Sequence, residues 1–160
     1  MTEIAIRQVP AEEARSLLPL LRQAQDFHHA ALPRVFRDDE TDADLGRFLD
    51  EWLAREGVVA LAAVSEAGGI LGCAVYEVEE VAAKPLIAAR RNGMLRHLVV
   101  DAAWRGQGLG SRLVEEVKAR LKADGVDRLR AHHYAFNEVS AAVLGKAGLS
   151  PLLVLVEGET

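Results

Sequence analysis

The most constraining stretch of this sequence is a turn. Met94 to Val100 is a β-like run that ends at Asp101, and Arg105-Gly106-Gln107-Gly108-Leu109-Gly110 then opens a helix. In that helix Leu109, Leu113, Val114, Val117 and Leu121 form one apolar stripe, Glu116 can pair with Arg120 one turn on, and Gly125 suits the left-handed residue that ends it. Three glycines at alternate positions therefore lie where a strand gives way to a helix, and bare backbone is exposed there. Successive N–H groups at a helix start, backed by the positive end of its dipole and by Arg105, form a seat for phosphate oxygens, with a pyrophosphate as the natural guest. A glycine-rich turn can also be only a tight connection, so the neighbouring residues decide.

Two familiar phosphate binders fail on those neighbours. A Walker loop needs Gly-Lys-Ser/Thr at the helix start, whereas Gly110 is followed by Ser111 and Arg112. A dinucleotide fingerprint needs Gly-x-Gly-x-x-Gly in the first strand-helix-strand unit and an acidic residue closing the next strand. Here the spacing is Gly106-x-Gly108-x-Gly110, the turn falls late in the chain, and the next strand ends in His132-His133-Tyr134.

The remaining punctuation predicts an alternation of strands and helices. Ile4 to Val9 reads as a first strand that hands over at Pro10 to a helix carrying Ala14, Leu17, Leu18, Leu21 and Ala24, bent near Pro19. The acidic run from Asp38 to Asp44 caps a second helix whose inner face is Leu45, Phe48, Leu49, Trp52 and Leu53, and Gly57 stops it. Phe48 and Trp52 read as core. Val58 to Val64 and Ile70 to Val78 form a hairpin across Ser65-Gly69, residues 80 to 93 read as a loop, Arg128 to Tyr134 as a strand, Glu138 to Lys146 as a helix stopped by Gly148, and Leu152 to Val156 as a last strand. No repeat or boundary divides residues 1–160, which read as one α/β domain.

Composition narrows the classes. Half of the 160 residues are apolar and 27% charged, which excludes a disordered or low-complexity chain. No apolar run approaches the roughly 20 residues of a spanning helix, and Met1-Thr2-Glu3-Ile4 lacks the features of a signal peptide, so a cytoplasmic protein without a membrane partner is expected. A formal charge of -5 disfavours nonspecific nucleic-acid binding and suits a cationic or amine-bearing partner. The single Cys73, inside an apolar run, reads as core filler. His28-His29 and His132-His133 lack acidic partners at ligand spacing, so no metal is expected.

With those residues in place, the sequence resembles the GNAT family of acyl-CoA-dependent N-acetyltransferases. Their signature is Arg/Gln-x-x-Gly-x-Gly/Ala, and Arg105-Gly106-Gln107-Gly108-Leu109-Gly110 fits it at every defined position. Leu98-Val99-Val100-Asp101 with Trp104 is similar to the family's run into that loop, and Asn137 with Ala141 to Leu149 to its later motif. The resemblance implies an α+β fold with a mixed, mostly antiparallel sheet of six to seven strands flanked by about four helices. It also implies acetyl-CoA as cosubstrate, with CoA as product. Leu98, Val99, Val100, Arg105, Gly106, Gln107, Gly108, Leu109, Gly110, Ser111, Asn137 and Ser140 would bind it. The segment with His28, His29, Leu32 and Phe36 would wall the acceptor pocket. The sequence departs where the family has Phe-Tyr before Lys-x-Gly: Val143 and Leu144 stand there, so the tyrosine that often protonates the departing thiolate is missing.

The chemistry expected is direct attack of a primary amine, on a small molecule or a protein, on the thioester carbon in a ternary complex. A main-chain N–H near Val99 or Val100 would stabilise the oxyanion, and Tyr134 or Ser140 could replace the missing acid. An alkyl ammonium is almost wholly protonated at neutral pH, so a base helps. Glu77 and Glu79, on one face of a strand, and His97, on the strand expected beside it, are the candidates. A rival reading is a non-catalytic acyl-CoA sensor on the same fold. A nicotinamide-dependent enzyme is a third. The apolar run Leu152 to Val156 could pair with a partner chain, which suggests a homodimer.

Overall fold

The structure is a computed structural model and describes residues 3–159. A five-stranded sheet follows chain order: β1 (Ile4–Val9), β2 (Val58–Ser65), β3 (Ile70–Val81), β4 (Arg90–Val100) and β5 (Leu129–Ala131). The first four strands pair antiparallel, and β5 lies parallel to β4. Four helices flank the sheet: α1 (Leu18–Ala31), α2 (Asp42–Leu53), α3 (Leu109–Ala123) and α4 (Glu138–Lys146).

Each helix boundary has a local cause. Pro19 does not bend a long first helix. It sits in the first turn of α1, where its missing N–H costs nothing, and a separate 3-10 helix covers Ala11–Leu17. Thr41 caps α2 in a reciprocal box with Asp44, which accepts from the Thr41 amide at 2.9 Å. Gly57, Gly125 and Gly148 adopt positive φ after α2, α3 and α4.

The sheet is covered on both faces, so its central strands are apolar at successive positions. Leu61, Ala63, Ala74 and Tyr76 turn toward α3 and α4, where Leu113, Val114, Val117 and Leu121 are buried. Ala60, Ala62, Cys73 and Val75 turn toward α1 and α2, where Leu20, Leu21, Leu49 and Leu53 are buried. Burying each such leucine stabilises the fold by roughly 1.5–3 kcal/mol.

Three expectations need correction. Among the described residues the sheet has five strands, and not six or seven: Leu152 to Val156 form no strand, and all five are exposed, from 75% to 93%. An apolar run supplies a strand's side chains, but pairing needs an edge beside it. Residues 80 to 93 are not one loop, because β3 runs on to Val81 and β4 begins at Arg90, with Glu79↔Asn92 and Glu80↔Arg91 in register. Phe48 is not core. It is 47% exposed and lies against Trp52, with ring centroids 5.2 Å apart.

No helix of the described residues is long and apolar enough to cross a membrane.

Candidate active site

Two irregularities in β4 create the site. The register steps from Tyr76↔Leu95 to Val75↔His97, leaving Arg96 as a bulge. A bulge puts consecutive side chains on the same side of a sheet, so Arg96 and His97 both face α1 and α2. The second irregularity is the early end of β5, which pairs only with Gly93 to Leu95. Beyond Leu95 the outer edge of β4 is open. Asp101 N–H donates to the Leu71 carbonyl at 2.9 Å, so strand alternation turns the N–H groups of Val99 and Asp101 into the β3 ladder and those of Leu98 and Val100 outward. Of the two amides expected to polarise an acyl oxygen, the structure thus points Val100 to the open side and withdraws Val99.

The turn leads directly into α3. Gly106 and Gly108 have φ of 76° and 77°, and a Cβ at either would meet nothing within 4 Å. Gly110 differs: its φ is ordinary, and a Cβ there would touch Val100 and Val143 at 3.7 Å. The first two glycines answer a backbone demand, and the third does not. Among the described residues, none of the amides from Arg105 to Ser111 donates to a protein acceptor. The Arg105 guanidinium folds back to donate to the Val100 carbonyl at 3.0 Å. Gln107 and Leu109 occupy the turn and the first helical position. Ser111 faces a separate open groove with Ile6, Arg112, Glu115 and Glu116.

A side-chain tie braces this turn from α1. Gln23 donates to Asp101 at 2.8 Å and accepts from the Ala102 amide at 3.1 Å, while the Ala103 amide donates to Asp101 at 2.9 Å. The Gln23 and Ala103 hydrogen bonds hold the Asp101 carboxyl below the usual carboxylate range.

Where β4 and β5 part, a cavity of about 230 Å³ opens. Its walls include His28 from α1 and Phe36 from the segment after it, His97, Leu98 and Val99 from β4, and Tyr134, Asn137, Ser140 and Leu144 from the C-terminal part. His97 is central to it. Its Nδ1 lies 3.3 Å from the Arg96 carbonyl, which can only accept, so the lone pair is left on Nε2. Nε2 is buried with no protein partner, and burial pushes the imidazole pKa below its ordinary value. The Trp52 ring stands edge-on to it at 5.6 Å.

The two glutamates do not join His97 at the cavity. Arg96 donates from Nε to Glu77 and from its terminal nitrogen to Glu79, each at 2.6 Å, and Arg55 approaches Glu77 at 3.6 Å. Asn137 caps α4 by accepting from the Ser140 amide at 3.0 Å. His29 turns away from the cavity: its Nδ1 bonds the Phe36 carbonyl at 2.7 Å and its Nε2 faces Asp38 at 3.4 Å. Cys73 is enclosed in the core, and burial pushes its thiol up to about 12.

Phe27 and Phe136, which the sequence did not single out, stand behind the cavity wall and not in it. Each packs against a predicted one: Phe27 on His28 at 5.5 Å and Phe136 on Tyr134 at 6.0 Å between ring centroids.

A family model described as "Acetyltransferase (GNAT) family" matches residues 21–149. The chain belongs to the GNAT family of acetyltransferases. Solved structures agree in fold. The BH1408 protein from Bacillus halodurans aligns with a TM-score of 0.87 at 22% identity, over 98% of this chain and 99% of that one. An aminoglycoside N-acetyltransferase, AAC(6')-Iy in complex with CoA, aligns with a TM-score of 0.76 at 14% identity, over 100% and 96%. The ribosomal-protein-alanine N-acetyltransferase from Brucella melitensis biovar Abortus 2308 aligns at 0.70 and 16%, over 99% and 100%. No curated protein matches the chain.

Proposed function

We propose that the protein transfers an acetyl group from acetyl-CoA to a primary amine, by direct attack within a ternary complex. The observation that carries this reading is the order along one stretch of chain: the outward amides of Leu98 and Val100, beside the cavity that His97 lines, lead into the free amides of the 105–111 turn. When bound, acetyl-CoA supplies a thioester whose carbonyl carbon is the electrophile.

The chain's own residues divide the remaining work. The turn amides and the α3 N-terminus bind the diphosphate. The Leu98 and Val100 edge aligns the pantetheine arm as a strand would, and an outward amide stabilises negative charge growing on the acyl oxygen. His97 Nε2, uncharged at neutral pH because it is buried, takes a proton from the attacking nitrogen as the new C–N bond forms and the C–S bond breaks. The departing sulfur takes a proton from Tyr134 or leaves as thiolate, which a thiol pKa near 8.5 allows. Leu144 stands, buried, where the family often has its tyrosine.

Ion pairing favours His97 over the glutamates as base, because Glu77 and Glu79 are both held by Arg96. The decisive experiment is thiol release from acetyl-CoA across a panel of amines. Release that requires an amine, with N-acetylated product by mass spectrometry, supports transfer. Tight CoA binding with no release for any amine would instead support an acyl-CoA sensor.

A further inference from the structure

Five aromatic rings from three separate segments meet at the cavity mouth. His28 lies 4.9 Å from Phe36, 5.6 Å from Tyr134 and 5.7 Å from Phe136 between ring centroids. Phe36 lies 5.1 Å from Tyr134, and Phe27 lies 5.5 Å from Phe136. Edge-to-face and tilted packing of this kind stabilises the cluster and fixes the ring faces. Yet Phe27 stays 43% exposed and Tyr134 41%. His28, Phe36 and Tyr134 line the cavity together with His97, so the cluster presents ring surface there that a guest can cover.

The charge around the cavity is equally selective. Among the described residues that line it there is no aspartate or glutamate, and Arg96 is part of the wall. Glu77 and Glu79 are occupied by that arginine, and Asp38 is faced by His29. Arg96's own charge is offset by those two glutamates, so an acceptor with a second ammonium group would find no free carboxylate in the lining to pair it, and an unpaired buried charge is costly. The cavity, at about 230 Å³, is also smaller than the roughly 300–1,000 Å³ of pockets that take drug-sized ligands.

Resting on the transfer reading above, we infer that the acceptor is a small monoamine whose body is an aromatic ring or a compact hydrocarbon, covering Phe36 and Tyr134 while its nitrogen reaches His97. Polyamines and aminoglycosides are disfavoured, because that lining holds no carboxylate for their further ammonium groups. Two of the protein's structural neighbours are aminoglycoside acetyltransferases by name, so the inference separates this chain from proteins that share its fold.

Binding tests it independently of catalysis. Saturation-transfer NMR on the full chain, with and without CoA, compares 2-phenylethylamine, spermidine and kanamycin. Phenylethylamine is expected to bind and to resist displacement by equimolar spermidine, and Phe36→Ala to weaken it about tenfold. Should Phe36→Ala misfold, Phe36→Leu keeps apolar volume, removes the ring face, and is expected to weaken binding in the same sense. Spermidine or kanamycin binding as tightly as phenylethylamine would overturn the inference, as would phenylethylamine binding that neither Phe36 variant nor Tyr134→Ala alters. Phe36-dependent binding of phenylethylamine without acetylation leaves the inference standing and breaks the transfer reading.

Discussion

The two halves of the site are made of different material. The turn from Arg105 to Ser111 is built from backbone: two glycines at positive φ, a helix start and a row of free amides. The cavity, which we propose takes the acceptor, is built from side chains drawn from α1, from the loop after it, from the β4 bulge and from the segment after β5. Backbone sites tolerate little change in conformation but are indifferent to most side chains. Side-chain sites behave the other way, and this is how one fold can keep a cosubstrate while its acceptors vary.

Substitutions at the glycines probe the backbone half most severely. Gly108→Val forces a β-branched residue into φ of 77° and fills open space above the amides, so calorimetry should show CoA affinity falling at least about a hundredfold, ~2.7 kcal/mol. Gly110→Ala, two residues on, should leave affinity within about twofold and stabilise α3 by up to about 1 kcal/mol, since its Cβ makes only ordinary contacts. Equal losses at both positions would show that close packing, and not amide geometry, makes this half of the site.

His97→Gln tests the side-chain half, with an expected fall in kcat of about a hundredfold while CoA binding is retained. The sign of the pH effect follows from burial. The folded protein favours neutral His97, so it binds fewer protons than the unfolded chain. Stability from this group is present above about pH 6.5 and is lost as pH falls below it, toward the depressed folded value. The wild-type rate should therefore fall on the acid side through a pKa below about 6.5, and that limb should vanish in His97→Gln. An unchanged acid limb would remove His97 from the role of base.

A fourth substitution separates the site from its support. A Cβ at Gly93 would lie 2.2 Å from Leu121 Cδ1 and 3.0 Å from its Cγ, so the whole leucine must shift. Gly93→Ala should cost about 1–3 kcal/mol and lower Tm by roughly 2–4 °C for each kcal/mol, as thermal denaturation would record. A small effect on turnover belongs to Glu79→Gln, which removes one of Arg96's two partners at a partly exposed pair and should change kcat by less than about fivefold, ~1 kcal/mol. A loss comparable to that of His97→Gln would instead transfer the base role to the carboxylates.

The same division explains what the sequence revealed. Backbone requirements leave glycines at fixed spacing, so the turn, the α3 stripe and the Glu116–Arg120 pair at 2.8 Å could all be read in advance. The bulge could not. Arg96 and His97 look like ordinary alternating neighbours until the partner strand shows that both face one side. Phe27 and Phe136 were missed because 109 positions separate them along the chain and only the fold brings their rings together. Leu152 to Val156 misled for the opposite reason, since an apolar run announces burial without saying against what.

Cys73 has a practical consequence. It is the chain's only sulfhydryl, and a thiol shut in the core with a pKa near 12 offers a reagent almost no thiolate. A chromogenic disulfide added to test for acetyl transfer would thus count any released coenzyme against a silent protein background. Run with coenzyme left out, the identical reagent becomes a stopwatch for how often the sheet opens.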